Sequence, residues 1–303
     1  MLGKKLTIIG GTGGMGQVFT KYFKNHGFTI TLYARTIDTL KQVSQKLKVS
    51  YDDSLQNSVK DADLVLISIP IGSTPDMIRK VAPYLKEDAL LFDISSVKRP
   101  IFKAYQQVLQ SYKINCVSLH PMFGPGIKDM NNYVMLVIRA GGSKVYDELI
   151  EDIENLFKSD GLIITETTPE VHDKRVSLTL GVPHMLNILF LTLLHKAGEP
   201  LNELTRYTGT TFLLQKVFAE SIIQREMDMF GEIQMENHEF YAVLELFETL
   251  LLQYKQIIKT KNKSEFDTIF SQGLLYSQKD DHFALSYQYF YEFMKILKKE
   301  NPK

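Results

Sequence analysis

The first half of the chain alternates short β-branched apolar runs with amphipathic stretches. Lys4–Ile9, Thr29–Tyr33, Leu64–Ile67, Ala89–Asp93, Ile114–Leu119, Val134–Ile138 and Leu162–Thr165 have the length and composition of strands. Between them, Val18–Asn25, Thr36–Lys46, Thr74–Tyr84 and Arg99–Gln110 carry helical spacing. In Tyr146–Phe157, Tyr146, Leu149, Ile150, Ile153, Leu156 and Phe157 recur three or four residues apart. Strand–helix alternation predicts an α/β fold: a Rossmann-type, doubly wound, mostly parallel sheet with helices on both faces.

The pattern changes near Thr167. Thr168-Pro169-Glu170 reads as an N-cap followed by proline at the first helical position. No convincing strand follows. Phe240, Val243, Leu244, Phe247, Leu250, Leu251, Tyr254, Ile257 and Ile258 form one long helical stripe, and Pro183 is expected to kink the first long helix. The chain therefore divides into a dinucleotide-binding domain, residues 1–166, and an all-α domain, residues 167–303. No linker separates them, so a cleft between the two is the default ligand site.

Composition narrows the picture. The 303 residues include 35 basic and 35 acidic side chains, which disfavours nucleic acid or an anionic membrane as the main partner. Residues 1–166 carry net +3 and residues 167–303 net −3, compatible with a phosphorylated ligand in the first half. At 44% hydrophobic the chain can bury a large core, and 18 of its 33 aromatics lie after residue 166. The single cysteine, Cys116, cannot form an internal disulfide and suits a reducing, cytoplasmic setting. No apolar run approaches the roughly 18 residues of a membrane span, and the opening MLGKKLTIIGG does not read as a signal peptide.

Gly11-Thr12-Gly13-Gly14-Met15-Gly16 follows the first strand and opens the first helix. In GxGxxG the first glycine permits the tight turn and the second lets backbone approach a pyrophosphate. The third allows close helix–strand packing. The helix N-terminus then offers free N–H groups to phosphates. A merely structural glycine turn is the competing reading. The second strand runs into Ala34-Arg35-Thr36, where an NAD site usually holds a carboxylate for the ribose 2′-hydroxyl. The missing carboxylate and a guanidinium able to grip a 2′-phosphate favour NADP over NAD. Otherwise Arg35 is a solvated helix-start residue and either cofactor is accepted.

Polar motifs stand at the carboxyl ends of three strands, the edge where parallel sheets bind ligands: Ser68-Ile69-Pro70, Asp93-Ile94-Ser95-Ser96-Val97-Lys98 and His120-Pro121-Met122-Phe123-Gly124-Pro125. Grouped by topology, they would bring a hydroxyl, an ammonium and an imidazole to one nicotinamide ring. His120 suits acid–base work near neutral pH; alternatively it caps its strand by hydrogen bonding.

These motifs, in order, resemble the prephenate/arogenate dehydrogenases of tyrosine biosynthesis. The likeness rests on GGTGGMG at residues 10–16, Ile67–Ile71, Asp93-x-Ser95-Ser96-Val97-Lys98, Leu119–Pro125, Pro169–Asp173 and Pro183-His184. It implies that His120 accepts a proton from the ring hydroxyl of the substrate. Ser96 supports that contact near the nicotinamide, and Lys98 holds the active site and substrate. Thr12, Met15, Thr36, Ser68 and Pro70 join Gly11, Gly13, Gly16 and Arg35 around the cofactor. His184 would face the cleft from the helical domain. Many members carry another histidine where this chain has Gly181, and a carboxylate-binding arginine where Phe212-Leu213 holds leucine. Arg206 is the nearest substitute and Arg175 the next.

The resemblance also implies a homodimer built by the helical domain, although the aromatics of that half are equally compatible with one intramolecular core. Prephenate is the expected substrate and arogenate the alternative. A non-catalytic NADP-responsive binding protein would keep the glycines without needing His120 and Ser96. A stand-alone enzyme is expected, without the chorismate mutase segment fused to some relatives. Cys116 reads as core. His172-Asp173 reads equally as an orienting pair or as helix-start packing. His26, His195, His238 and His282 lack metal-ligand spacing, so no metal is expected. Met227, Met229 and Met235 read as core filler, and residues 298–303 as a solvated tail.

Overall fold

A computed structural model describes residues 3–225 and 227–299; residues 300–303 of the expected tail lie outside them. The order is β1 (Lys5–Ile9), α1 (Gly14–Asn25), β2 (Thr29–Tyr33), α2 (Ile37–Leu47), β3 (Ser50–Tyr51), α3 (Leu55–Val59), β4 (Leu64–Ile67), α4 (Thr74–Val81), β5 (Leu90–Asp93) and α5 (Arg99–Leu109). There follow β6 (Asn115–Pro121), β7 (Val134–Gly141), α6 (Tyr146–Ser159), β8 (Ile163–Glu166) and α7 (Pro169–Val176). The remainder is helical: α8 (Val182–Lys196), α9 (Leu201–Arg206), α10 (Thr210–Ile223), α11 (Met227–Met235), α12 (His238–Thr260), α13 (Lys263–Ser277) and α14 (Ser286–Lys299).

The eight strands form one sheet in the order β3-β2-β1-β4-β5-β6-β7-β8. Every neighbouring pair is parallel except β6 with β7. Strand alternation supplies both faces. Leu6, Ile8, Leu64, Leu66, Leu90 and Phe92 join one core cluster, and Ile9, Val65, Ile67 and Leu91 the other. On the first face Phe19 and Phe23 of α1 meet Phe157 of α6 edge-on. Cys116 lies in the second cluster, where burial pushes its thiol pKa up, as a core side chain. The sequence reading missed β3 and α3, which are two and five residues long.

The chain forms two compact units. The first comprises Met1–Ser177 with Asp228–His238, the second Leu178–Met227 with Glu239–Lys303. This differs from a division at residue 166. Asn237 donates its amide to the Asp173 carbonyl at 2.8 Å, and Glu232 accepts from the Ile71 N–H at 2.6 Å. These contacts bind residues 228–238 to the first unit.

A π-helical turn, Ser177–Gly181, precedes α8, whose second residue is Pro183. The proline lacks the N–H that a regular turn would use. Within the helical run Pro169–Lys196 one 18-residue window reaches a mean hydropathy of 1.6, apolar enough by length and composition alone to cross a membrane. Thr179, Pro183, His184 and Asn187 interrupt its apolar residues, so no unbroken run appears in the sequence. The stripe of α12 also departs from expectation. Only Phe240 and Ile257 are buried there, while Leu250, Leu251, Tyr254 and Ile258 are exposed.

Candidate active site

The glycine loop is built by close backbone approach. Gly10, at φ +82°, takes the left-handed conformation, and a Cβ there would lie 2.1 Å from the Ser68 carbonyl oxygen. The tight-turn glycine is thus Gly10, which sequence reasoning passed over in favour of Gly11; its place directly after β1 was the available signal. A Cβ on Gly16 would come 2.4 Å from the Gly10 oxygen, the close packing expected of the third glycine. At Gly13 a Cβ would meet only the Gly10 oxygen, at 3.5 Å, leaving its outer side open.

Gly13 caps α1 without a side-chain hydrogen bond, and the first turn holds no acidic residue. Such a terminus leaves N–H donors and a positive dipole end for an anion. The loop therefore fits the pyrophosphate of a dinucleotide. Thr12 accepts from the Gln17 amide through its carbonyl at 2.9 Å, and Met15 packs on the core. Ala34 also packs on the core, whereas Arg35 and Thr36 are exposed at the end of β2.

The strand ends meet around this loop. A Cβ on Gly14 would touch the Pro125 ring at 3.0 Å, so the loop after His120 lies against the glycine loop. Ser68 abuts Gly10, and Pro70 is exposed beside it. The Pro70 carbonyl accepts from the Thr74 hydroxyl at 3.0 Å, and Ser95 lies 3.3 Å from that hydroxyl.

Beneath these loops is a buried polar network. Asp93, the last residue of β5, is fully buried and pairs in register with Ser118 of β6. Its carboxylate accepts from Ser118 Oγ at 2.5 Å, Ser95 N at 2.8 Å, Tyr105 OH at 2.9 Å and Lys98 Nζ at 3.0 Å. Lys98 Nζ also donates to Ser118 Oγ at 2.8 Å and to the Leu119 carbonyl at 2.7 Å. Its three N–H donors are thereby used, and the side chain is fully buried. Where substrate contact was expected, the ammonium is seen tying β5 to β6. Burial pulls its pKa down, opposed by Asp93. Asp93, Tyr105 and Ser118 had no assigned role; a charged residue ending a fully apolar strand was the signal for Asp93.

His120 and Ser118 fall on the same face of β6, two residues apart. His120 Nδ1 lies 2.9 Å from Nε2 of His172, and His172 Nδ1 lies 2.8 Å from Asp173 Oδ1. Asp173 in turn accepts from the backbone N–H of Lys98 at 2.8 Å and of Arg99 at 3.0 Å. His172 and Asp173 thus form an orienting pair for His120, the alternative to simple helix-start packing. Burial, aided by His172 and Lys98, holds the His120 imidazole well below its usual pKa. Burial lowers His172 as well, opposed by Asp173. Both shifts favour the neutral imidazole. Ser96 is half-buried in the loop after β5, with no side-chain hydrogen bond among the described residues.

The other expected residues belong to the helical unit. His184 is partly buried in α8, and burial pushes its imidazole down to about 4. Arg206 is exposed at the end of α9 and pairs with Glu203 of the same helix at 3.1 Å. A Cβ on Gly181 would come 2.6 Å from the Phe240 ring, so the extra histidine of relatives has no room there. Arg175 belongs to the first unit and is exposed on α7.

Comparison with known proteins agrees with this geometry. Residues 19–163 match the family model for the prephenate dehydrogenase nucleotide-binding domain, and residues 168–272 that for the prephenate dehydrogenase dimerization domain. A probable arogenate/prephenate dehydrogenase of Methanocaldococcus jannaschii is 27% identical over 268 residues, 88% of this chain and 60% of that protein. The chain therefore spans about three fifths of that curated relative. Among solved structures, prephenate dehydrogenase from Aquifex aeolicus, in complex with hydroxyphenyl propionate and NAD+, superposes with a TM-score of 0.72 at 19% identity. That match covers 92% of this chain and 99% of the other. Synechocystis arogenate dehydrogenase gives 0.67 at 17% identity, covering 91% and 99%. With consecutive matches to both of its domains, the chain belongs to the prephenate/arogenate dehydrogenase family.

Proposed function

We propose that this chain is a prephenate dehydrogenase that prefers NADP, accepts NAD, and converts prephenate to 4-hydroxyphenylpyruvate in tyrosine biosynthesis. The observation that carries the reading is the placement of a buried His120 at the carboxyl end of β6. Its Nδ1 is engaged by His172, and its loop lies against the dinucleotide-type glycine loop.

A bound nicotinamide would supply the hydride acceptor for the ring carbon that bears the hydroxyl. The protein's part is alignment and proton transfer. His120 Nε2 takes the hydroxyl proton as that carbon becomes a carbonyl. Loss of the ring carboxylate as carbon dioxide then sends its bonding electrons through the dienone to that oxygen, which recovers the proton from His120 to give the aromatic phenol. Ser96, with its hydroxyl uncommitted, supports the substrate oxygen. The N–H groups opening α1 hold the pyrophosphate, and the absence of a carboxylate at Ala34 with Arg35 beside it supports the NADP preference.

Arogenate dehydrogenase is the second reading, favoured by the likeness to the Synechocystis enzyme and by the leucine in place of the helical-domain arginine. A homodimer through the helical unit is also proposed, supported by the dimerization domain description and by the exposed leucines of α8 and α12.

The test follows reduced cofactor with prephenate and arogenate, each crossed with NAD and NADP. Signal with prephenate is expected, strongest with NADP. Preference for arogenate selects the second reading, and no signal in any combination rejects both and leaves a binding protein. His120→Asn is expected to lower turnover by about 100- to 10,000-fold with cofactor affinity unchanged; turnover near wild type removes His120 as the base.

A further inference from the structure

We propose that His172 and Asp173 are positioning residues that dictate the tautomer of His120 and take over the charge it acquires, an inference that rests on His120 being the base proposed above. The polarity of the chain starts from two peptide groups. The N–H of Lys98 points at Asp173 Oδ1 and that of Arg99 at Oδ2. Peptide N–H groups can only donate, so both oxygens accept, an arrangement that favours the carboxylate form. Asp173 Oδ1 therefore also accepts from His172, and the proton of neutral His172 resides on Nδ1. Its Nε2 is then a bare lone pair, able only to accept. His120 Nδ1, 2.9 Å away, must carry the proton. What remains on His120 is an unprotonated Nε2, the state a general base needs.

The same chain disposes of the charge. When Nε2 takes the substrate proton, His120 becomes an imidazolium in a fully buried position. The charged groups around the two rings are Lys98 and Asp93, paired with each other, and Asp173. Lys98 disfavours a cation on either ring, but Asp173 and Asp93 favour one on His172, with no carboxylate among the described residues favouring one on His120. Moving the Nδ1 proton of His120 onto His172 Nε2 leaves His120 neutral, now protonated on Nε2. The cation then rests on His172, against Asp173. Only a proton moves, and no electron donor or acceptor is involved.

The tautomers can be read without turnover, by 15N NMR of the histidine-labelled protein at pH 7. His120 and His172 are both expected protonated on Nδ1; a proton on His120 Nε2 overturns the proposal. Asp173→Asn has one acceptor oxygen for three donors, so its amide must reverse the chain or break it. It is expected to lower kcat by about a hundredfold or more with substrate and cofactor KM within threefold, and to shift the His120 proton to Nε2. His172→Gln can still accept from His120 Nδ1 but cannot take up a proton. It is expected to keep the wild-type His120 tautomer, lose about tenfold in kcat, and move the acidic limb of the kcat–pH profile.

Asp173→Asn at wild-type kcat overturns the proposal while leaving His120 as base. A purely structural role is the outcome if both variants lose activity equally with the tautomer and pH profile unchanged. Undiminished turnover in His120→Asn instead removes the base and the catalytic half of the inference.

Discussion

The two units treat their apolar and polar groups in opposite ways. In the first, apolar side chains fill one cluster on each face of the sheet, and the buried Asp93, Lys98, Ser118, His172 and Asp173 satisfy one another. In the second, Leu186, Leu189 and Leu193 of α8 and Leu246, Leu250 and Leu251 of α12 are exposed. Aromatic content does not separate the units, since the helical half has the larger share. The difference is closure. A parallel sheet covered on both faces completes its own core, whereas these helices present apolar stripes for which a single chain supplies no cover. That contrast matches a family whose second model is described as a dimerization domain.

The largest effect is expected at Lys98, where the contrast is sharpest. Lys98→Ala leaves Asp93 buried with its countercharge gone and the Leu119 carbonyl and Ser118 short of a partner. Removing one member of a buried ion pair costs about 3–5 kcal/mol, because the other charge stays uncompensated. Urea unfolding of the variant should show that loss. If stability is unchanged and only substrate KM rises, Lys98 contacts substrate and the network is not closed.

A smaller effect, on association rather than folding, is expected in the helical unit. Leu189 and Leu193 are 49% and 66% exposed on one face of α8. Leu189→Asp with Leu193→Asp should change the stability of the isolated chain by no more than about 0.5 kcal/mol, as for ordinary surface positions. If that face is the interface between copies, sedimentation should shift from twice the 34.8 kDa chain mass to that mass. A wild-type protein already sedimenting as one chain breaks the comparison outright.

Much of the first unit was legible because its signals are local. The short β-branched apolar runs of the strands, the glycines after β1 and the proline opening α7 each act within a few residues. His120 stood out for the same reason, at the junction of a buried strand and a Pro/Gly-rich loop. What escaped depends on contacts distant in sequence. Lys98 was expected at the substrate by resemblance; that Ser118 and Leu119, some 20 residues on, enclose its ammonium left no local sign. The choice between readings of His172-Asp173 turned on His120, 52 residues away. The return of residues 228–238 to the first unit includes hydrogen bonds to Ile71 and Asp173 that leave no periodic trace. The exposure of α12 was hidden because an apolar stripe looks the same whether its cover is its own chain or another.

The smallest effect tests the other side of the contrast, an exposed residue in the closed unit. Arg35 has no ion pair among the described residues and adds nothing to the core, so Arg35→Ala should leave stability within about 0.5 kcal/mol of wild type. Its consequence should appear only with ligand. A guanidinium beside a 2′-phosphate makes charge-assisted hydrogen bonds that an unphosphorylated ribose cannot. Loss of about 1.4 kcal/mol there corresponds to a tenfold rise in KM for NADP when KM reflects binding. KM for NAD should stay within twofold, because NAD lacks the phosphate that Arg35 would meet. Equal changes for the two cofactors would remove Arg35 as the selective residue and, with no carboxylate at Ala34 to reject the phosphate, leave an enzyme that takes either one.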